Sequence, residues 1–142
     1  MSARDDAARW LAQATADRHT VKVLVDGGVY YMACFVAQQA AEKALKAFLY
    51  ASGEDPVFGR SVYRLCSRCG AIDPAFAELA PVVKNLDQYY IETRYPNGLP
   101  DQVPAEFFDQ VDAERAIEMT DRVLELVRTR LDEAAEREPG AC

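Results

Sequence analysis

Histidine is almost missing from this chain. His19 is the single example in 142 residues, so a metal centre built from several histidines is excluded. No apolar run approaches the roughly 18 residues needed to span a bilayer, and no membrane partner is expected. Strand-like alternation, fixed-period repeats and low-complexity tracts are also lacking. Cysteine is limited to Cys34, Cys66, Cys69 and Cys142. The opening Met1-Ser2-Ala3-Arg4-Asp5-Asp6 is polar and acidic, unlike a secretory leader, which implies a cytoplasmic protein with reduced thiols and no disulfide framework. A basic surplus is absent too, because 16 Lys and Arg face 23 Asp and Glu for a net charge of -7. Residues 1–60 hold seven of each sign, whereas residues 61–142 hold nine basic and sixteen acidic side chains. Such a chain is repelled by phosphate backbones at long range, so DNA is not an expected partner and only a local basic pocket could bind an anion.

What is present is helical patterning over one domain's length, with half of the residues hydrophobic. From about Asp5 to Val25, Trp10, Ala14, Asp17, Val21 and Leu24 or Val25 recur at three- and four-residue steps, which predicts an amphipathic helix closed by Asp26-Gly27-Gly28. Tyr30 to Tyr50 is free of Gly and Pro and rich in strong helix formers. Its alanines 33, 37, 40, 41, 44 and 47 leave room for close neighbours, so it is placed at the centre of a bundle. A short helix is expected over Ser61 to Cys69, and Asp73-Pro74 reads as the next start signal. Phe76, Leu79, Val83, Leu86 and Tyr90 form a core-facing stripe, within which Pro81 is expected to kink the helix or to begin a new one. Glu92 to Phe108, with Pro96, Gly98, Pro100 and Pro104, reads as an irregular loop. A last helix runs from Val111 or Asp112 to about Glu136. The fold class that follows is all-α: an antiparallel four-helix up-and-down bundle with an additional short helix, spanning residues 1–137 and followed by a frayed tail at 138–142.

Tyr30 to Ala47, containing Cys34-Phe35-Val36-Ala37-Gln38-Gln39-Ala40-Ala41-Glu42-Lys43-Ala44-Leu45-Lys46-Ala47, resembles the HEPN family, as do Tyr89-Tyr90-Ile91-Glu92-Thr93-Arg94-Tyr95-Pro96 and the helix from Ala113 to Leu126. The resemblance spans nearly the whole chain. It implies a helical bundle, usually dimeric, often encoded beside a small nucleotidyltransferase in bacterial toxin–antitoxin pairs. Many members are metal-independent ribonucleases whose catalytic motif is an Arg followed, after four to six residues, by a His. That motif is absent here. Upstream of His19 the required positions hold Ala12, Gln13 and Ala14, and downstream of Arg94 they hold Leu99, Pro100 and Asp101. Metal-free cleavage of RNA needs a group to take the 2′-OH proton and another to hold phosphate charge. A histidine with a pKa near ~6.5 does the first and an arginine the second, while a carboxylate near ~4 is a poor base unless burial raises it.

Arg94 and Tyr95 stand where the family places functional residues, at a helix end before the loop. Arg94 is suited to clamp a phosphate and Tyr95 to stack on a base or ribose. The competing structural reading has Arg94 capping helix carbonyls and pairing with Asp87 or Glu92, and Tyr95 plugging the bundle end. Lys43 and Lys46, beside Gln38, Gln39 and Glu42, would complete a small anion site if their helix faces Arg94. Otherwise they form a solvated face with a Gln39–Lys43 contact. Cys66 and Cys69 have zinc or redox spacing but lack a second pair, and are expected to be partly buried apolar residues. His19 is expected at the surface or in a helix-pair contact. Tyr30, Tyr31, Tyr50, Tyr63, Tyr89, Tyr90 and Tyr95 suit helix edges and a subunit contact.

The expected function is therefore that of a cytoplasmic HEPN-type homodimer that binds a nucleotide or a partner nucleotidyltransferase, with no cofactor and no metal. Arg94 and Tyr95 would make the contact, supported by Asp87, Lys43 and Lys46. The alternatives are a ribonuclease toxin using Arg94 with a non-histidine base such as Asp101, and a purely structural dimerisation module.

Overall fold

A computed structural model describes residues 2–137, and the tail expected at 138–142 lies outside them. Six α-helices follow one another: α1 (Ala3–Asp26), α2 (Tyr30–Ala51), α3 (Val62–Gly70), α4 (Pro74–Val83), α5 (Pro104–Phe107) and α6 (Gln110–Glu136). Two 3-10 segments, Lys84–Tyr89 and Pro96–Gly98, lie between α4 and α5. The described residues contain no strand. The architecture is all-α, as the periodicity implies.

Local chemistry sets the helix ends. Ser2 accepts from the Asp5 N–H while Asp5 reaches back to the Ser2 N–H, and Asp109 and Asp112 repeat this capping box at the start of α6. Ser61 caps α3, and Asp73 caps α4 with Pro74 in the first turn. The α1–α2 reversal depends on Gly28 at φ +75°, where a side chain would be strained.

Helix α2 is central, packing on α1, α3, α5 and α6. Its alanines 33, 37, 41 and 44 are fully buried, which lets flanking backbones come close, and one core unites Leu45, Leu49, Val62, Leu65, Phe76, Leu86, Val123 and Leu124. Burial of each such side chain contributes roughly 1.5–3 kcal/mol. Phe48 and Phe76 meet at 4.5 Å between ring centroids. The buried Thr120 donates to the Ala37 carbonyl at 2.8 Å, tying α6 to α2. Helix α3 crosses α4 at Gly70, where a Cβ would lie 2.7 Å from the Ala77 nitrogen.

Pro81 does not begin a new helix. It sits in the last turn, and the chain tightens into the 3-10 segment at Lys84. That tightening alters the predicted stripe. With about 3.0 residues per turn instead of 3.6, the buried face advances, so Tyr89 is buried and Tyr90 lies half-exposed at the edge. The expected loop also carries one turn of helix, α5, begun by Pro104.

Candidate anion-binding site

Downstream of the 3-10 segment the chain turns over residues 90–94, and side chains satisfy its terminal carbonyls. Thr93 Oγ1 donates to the Tyr89 carbonyl, and Arg94 Nε donates to the Tyr90 carbonyl at 2.8 Å. The guanidinium carbon of Arg94 lies 4.6 Å from the centroid of the Phe35 ring, 4.7 Å from that of Tyr90 and 5.3 Å from that of Tyr95. Phe35 and Tyr90 are themselves 6.3 Å apart. Each cation–ring contact contributes about 0.5–2 kcal/mol, and together they fix the plane of the fork. Arg94 therefore does cap a carbonyl. Among the described residues, however, its Nη groups have no acceptor, and neither Asp87 nor Glu92 pairs with it. The result is a permanently charged, partly buried fork held rigid on one side and open on the other, with the half-exposed Tyr95 (50%) beside it. Such a fork is preorganised for an anionic oxygen pair.

The other expected contacts are placed elsewhere. Asp87 lies at the α3 N-terminus, where it accepts from Ser61 Oγ at 2.7 Å, Val62 N at 2.6 Å and Tyr63 N at 3.2 Å. Lys43 pairs with Asp17 of α1. Lys46 is nearly buried (7%), 3.6 Å from Glu42 and over the Trp10 ring at 5.4 Å. Phe35, on which Arg94 rests, precedes Lys43 and Lys46 by roughly 12 and 16 Å of helix rise. The two lysines and Arg94 thus do not converge on one anion. The alternative Gln39–Lys43 contact is not formed either, since Gln39 donates to Gln38 Oε1.

Lys46 instead belongs to a polar seam along α2. Gln38 donates to the Arg60 carbonyl at 2.9 Å, and Glu42 is buried (2%) with Oε1 lacking a donor. Burial pushes the Glu42 carboxyl above its usual range, against the pull of Lys46, Arg60 and Lys43. Arg60 escaped sequence reasoning. Its guanidinium carbon is 5.9 Å from the Tyr90 ring, the platform that Arg94 also uses. A signal existed: Pro56 to Ile72 holds Arg60, Arg64 and Arg68 and no acid.

Cys66 and Cys69 are buried as expected, their thiols directed at the carbonyls of Phe76 and Leu45. Burial raises the thiol pKa of Cys34 and Cys66 to about 12 and moves that of Cys69 upward as well. His19 is exposed, next to an Arg18 that donates to Asp121 of α6 at 2.6 Å. Asp101 is exposed in the loop. Two grooves of about 400 and 450 Å³ lie away from Arg94. One runs between α4 and α6 past Leu79, Val82 and Arg122, and the other between α1 and the end of α6. Both are mainly apolar, so the open Arg94 fork has the better claim to anion chemistry.

Fold and site together define an α-helical bundle bearing an aromatic-supported guanidinium at the mouth of its long loop. The HEPN domain profile matches residues 7–130, and the chain belongs to that family. It is 26% identical over 137 residues to "Putative toxin MJ1304" of Methanocaldococcus jannaschii, covering 87% of each chain. Among solved structures it is similar to TT1696 from Thermus thermophilus, at 34% identity and a TM-score of 0.74, over 87% of this chain and 96% of that one. It is also similar to ST0689, an archaeal HEPN homologue, at 30% identity and a TM-score of 0.72, over 88% and 97%.

Proposed function

We propose that this protein is the nucleotide-binding, non-cleaving member of a toxin–antitoxin-like pair, acting as a cytoplasmic homodimer with a nucleotidyltransferase partner. The observation that carries the reading is the Arg94 fork. It rests against the Phe35 and Tyr90 rings, is anchored through Nε, and has no carboxylate to neutralise it among the described residues. A phosphate binds the Nη pair, and Tyr95 lies beside it to contact base or ribose. Asp87, Lys43 and Lys46 hold the frame through the contacts described above. The toxin name of the archaeal relative supports the biological setting. Strand cleavage is disfavoured because Leu99, Pro100 and Asp101 occupy the positions at which a histidine would accept the 2′-OH proton. Isothermal titration with ATP and AMP, on wild type and Arg94→Ala, tests the site. Binding that weakens at least tenfold in the variant is expected, and identical signals from both proteins would refute it.

A further inference from the structure

We propose that Arg60 joins Arg94 to form a seat selective for a phosphate monoester over a phosphodiester, with Tyr90 as the shared platform. The inference rests on the anion reading of Arg94 and narrows the ligand. Both guanidinium carbons lie within 6 Å of the Tyr90 centroid, and neither side chain pairs with a carboxylate among the described residues. The acids nearby are already engaged. Asp87 receives three donors from residues 61–63. Glu42 has one oxygen facing Lys46, and the other is sealed from solvent. Lys43 is paired with Asp17, and Glu92 is exposed in the turn before Arg94.

Two cations on one ring repel each other, with only the buried Glu42 carboxyl, which already faces Lys46, acting on Arg60, and a dianion between the two forks removes that repulsion. The backbone at Arg60 is fixed, since its carbonyl accepts from Gln38 and the nearby Val57 N–H donates to Tyr50 Oη, while the side chain is exposed and free to swing toward a ligand. A phosphate monoester carries about −1.5 to −2 at pH 7, with a second pKa near ~6 and three terminal oxygens for two planar forks. A phosphodiester offers one charge and two oxygens. The monoester is either a free mononucleotide or the phosphorylated end of a strand.

The test is calorimetric titration of the whole protein with 5′-AMP and with adenosine 3′,5′-cyclic monophosphate, at pH 7.5 and pH 5. The expected result is AMP binding at least tenfold tighter than the cyclic diester at pH 7.5, with the two approaching parity at pH 5 as the monoester dianion takes up one proton and becomes a monoanion. The same titrations on Glu42→Gln, which removes the nearby titrating carboxyl, should show the same change of ratio with pH because the proton is the ligand's own, and a ratio constant with pH in that variant would overturn the proposal. Arg60→Gln, an exposed change, should keep the melting temperature and abolish the preference. Equal affinities in wild type, or a preference intact in Arg60→Gln, would overturn the proposal. If both ligands bind equally and Arg94→Ala loses both, the Arg94 reading stands and the two-arginine seat falls; if neither ligand binds, both fall. A 5′-phosphorylated oligoribonucleotide compared with its 5′-hydroxyl form assigns the source. A matching preference points to a strand end, and its absence alongside the AMP preference points to a mononucleotide.

Discussion

Asp87 separates a structural from a ligand-binding role, because the two assign its carboxylate different partners. Its oxygens accept from Ser61 Oγ, Val62 N and Tyr63 N. Two of these donors are among the four N–H groups that a helix leaves unsatisfied at its N-terminus, and α3 is only nine residues long. Ser61 Oγ in turn accepts from Arg64 N, so a third N–H depends on the same carboxylate through the orientation of the hydroxyl. A hydrogen bond to a charged group contributes about 1.5–3 kcal/mol, and loss of a cap costs about 1 kcal/mol. Because one carboxylate serves all three donors, Asp87→Ala is expected to lose about 3 kcal/mol. At roughly 2–4 °C per kcal/mol, that lowers the melting temperature by about 10 °C. Asp87→Asn keeps one acceptor and turns a donor toward a donor, so it should lose most of the same amount. Thermal and urea melts measure the loss, and AMP titration well below the melting temperature should show affinity within about twofold of wild type. A variant that melts with wild type but no longer binds AMP would refute the structural assignment.

Three further outcomes follow from the packing. Cys34, Cys66 and Cys69 are buried with their thiol pKa values raised. They should resist a thiol-specific disulfide reagent at pH 8 in the native protein and react once guanidinium unfolds it; rapid native labelling of any of the three would contradict their placement. Gly70→Ala should cost about 1–3 kcal/mol in a urea melt, because the new methyl meets the Ala77 backbone at less than 3 Å and neither helix can yield without moving its partners. The Glu42 carboxyl is raised above its ordinary 4.5 in the fold, so it contributes stability below that pH and loses the contribution as pH rises through the folded value. Glu42→Gln, which keeps an acceptor for Lys46, should therefore be the more stable protein at pH 7, with the gap closing toward pH 4. A constant gap across that range would show that the carboxyl is not raised.

Much of the fold is legible because repeated apolar spacing reports burial directly. Helix α2 is Gly-free, Pro-free and lined with alanines, and it sits at the centre as its sequence implies. Helix α6 starts one or two residues before the expected Val111 or Asp112 because Asp109 and Asp112 cap each other, a signal carried by polar residues ahead of the buried Ala113. The exchange of Tyr89 and Tyr90 has a different cause: a single stripe assumes one helical period, and the chain changes period at Lys84. At the site, the pattern around Arg94 singles out a guanidinium that the structure sets against aromatic rings, but not its supports. Phe35 precedes it by 59 positions, and only the packing of α2 against the turn brings them together. Lys46 has the sequence setting of a solvent-facing helix lysine. Its burial depends on Glu42 one turn earlier and on Trp10 from another helix.

The central claim is that Arg94 grips a phosphate without cutting the strand, and a pair of incubations tests both halves. Labelled 5′-AMP and a labelled oligoribonucleotide, each mixed with pure protein in EDTA, are assayed for retention of the nucleotide on a filter and for length of the strand on a gel. The expected result is AMP retained by wild type and released by Arg94→Ala, with the strand left whole by both proteins. A shortened strand in wild type, left whole by Arg94→Ala, would contradict the account.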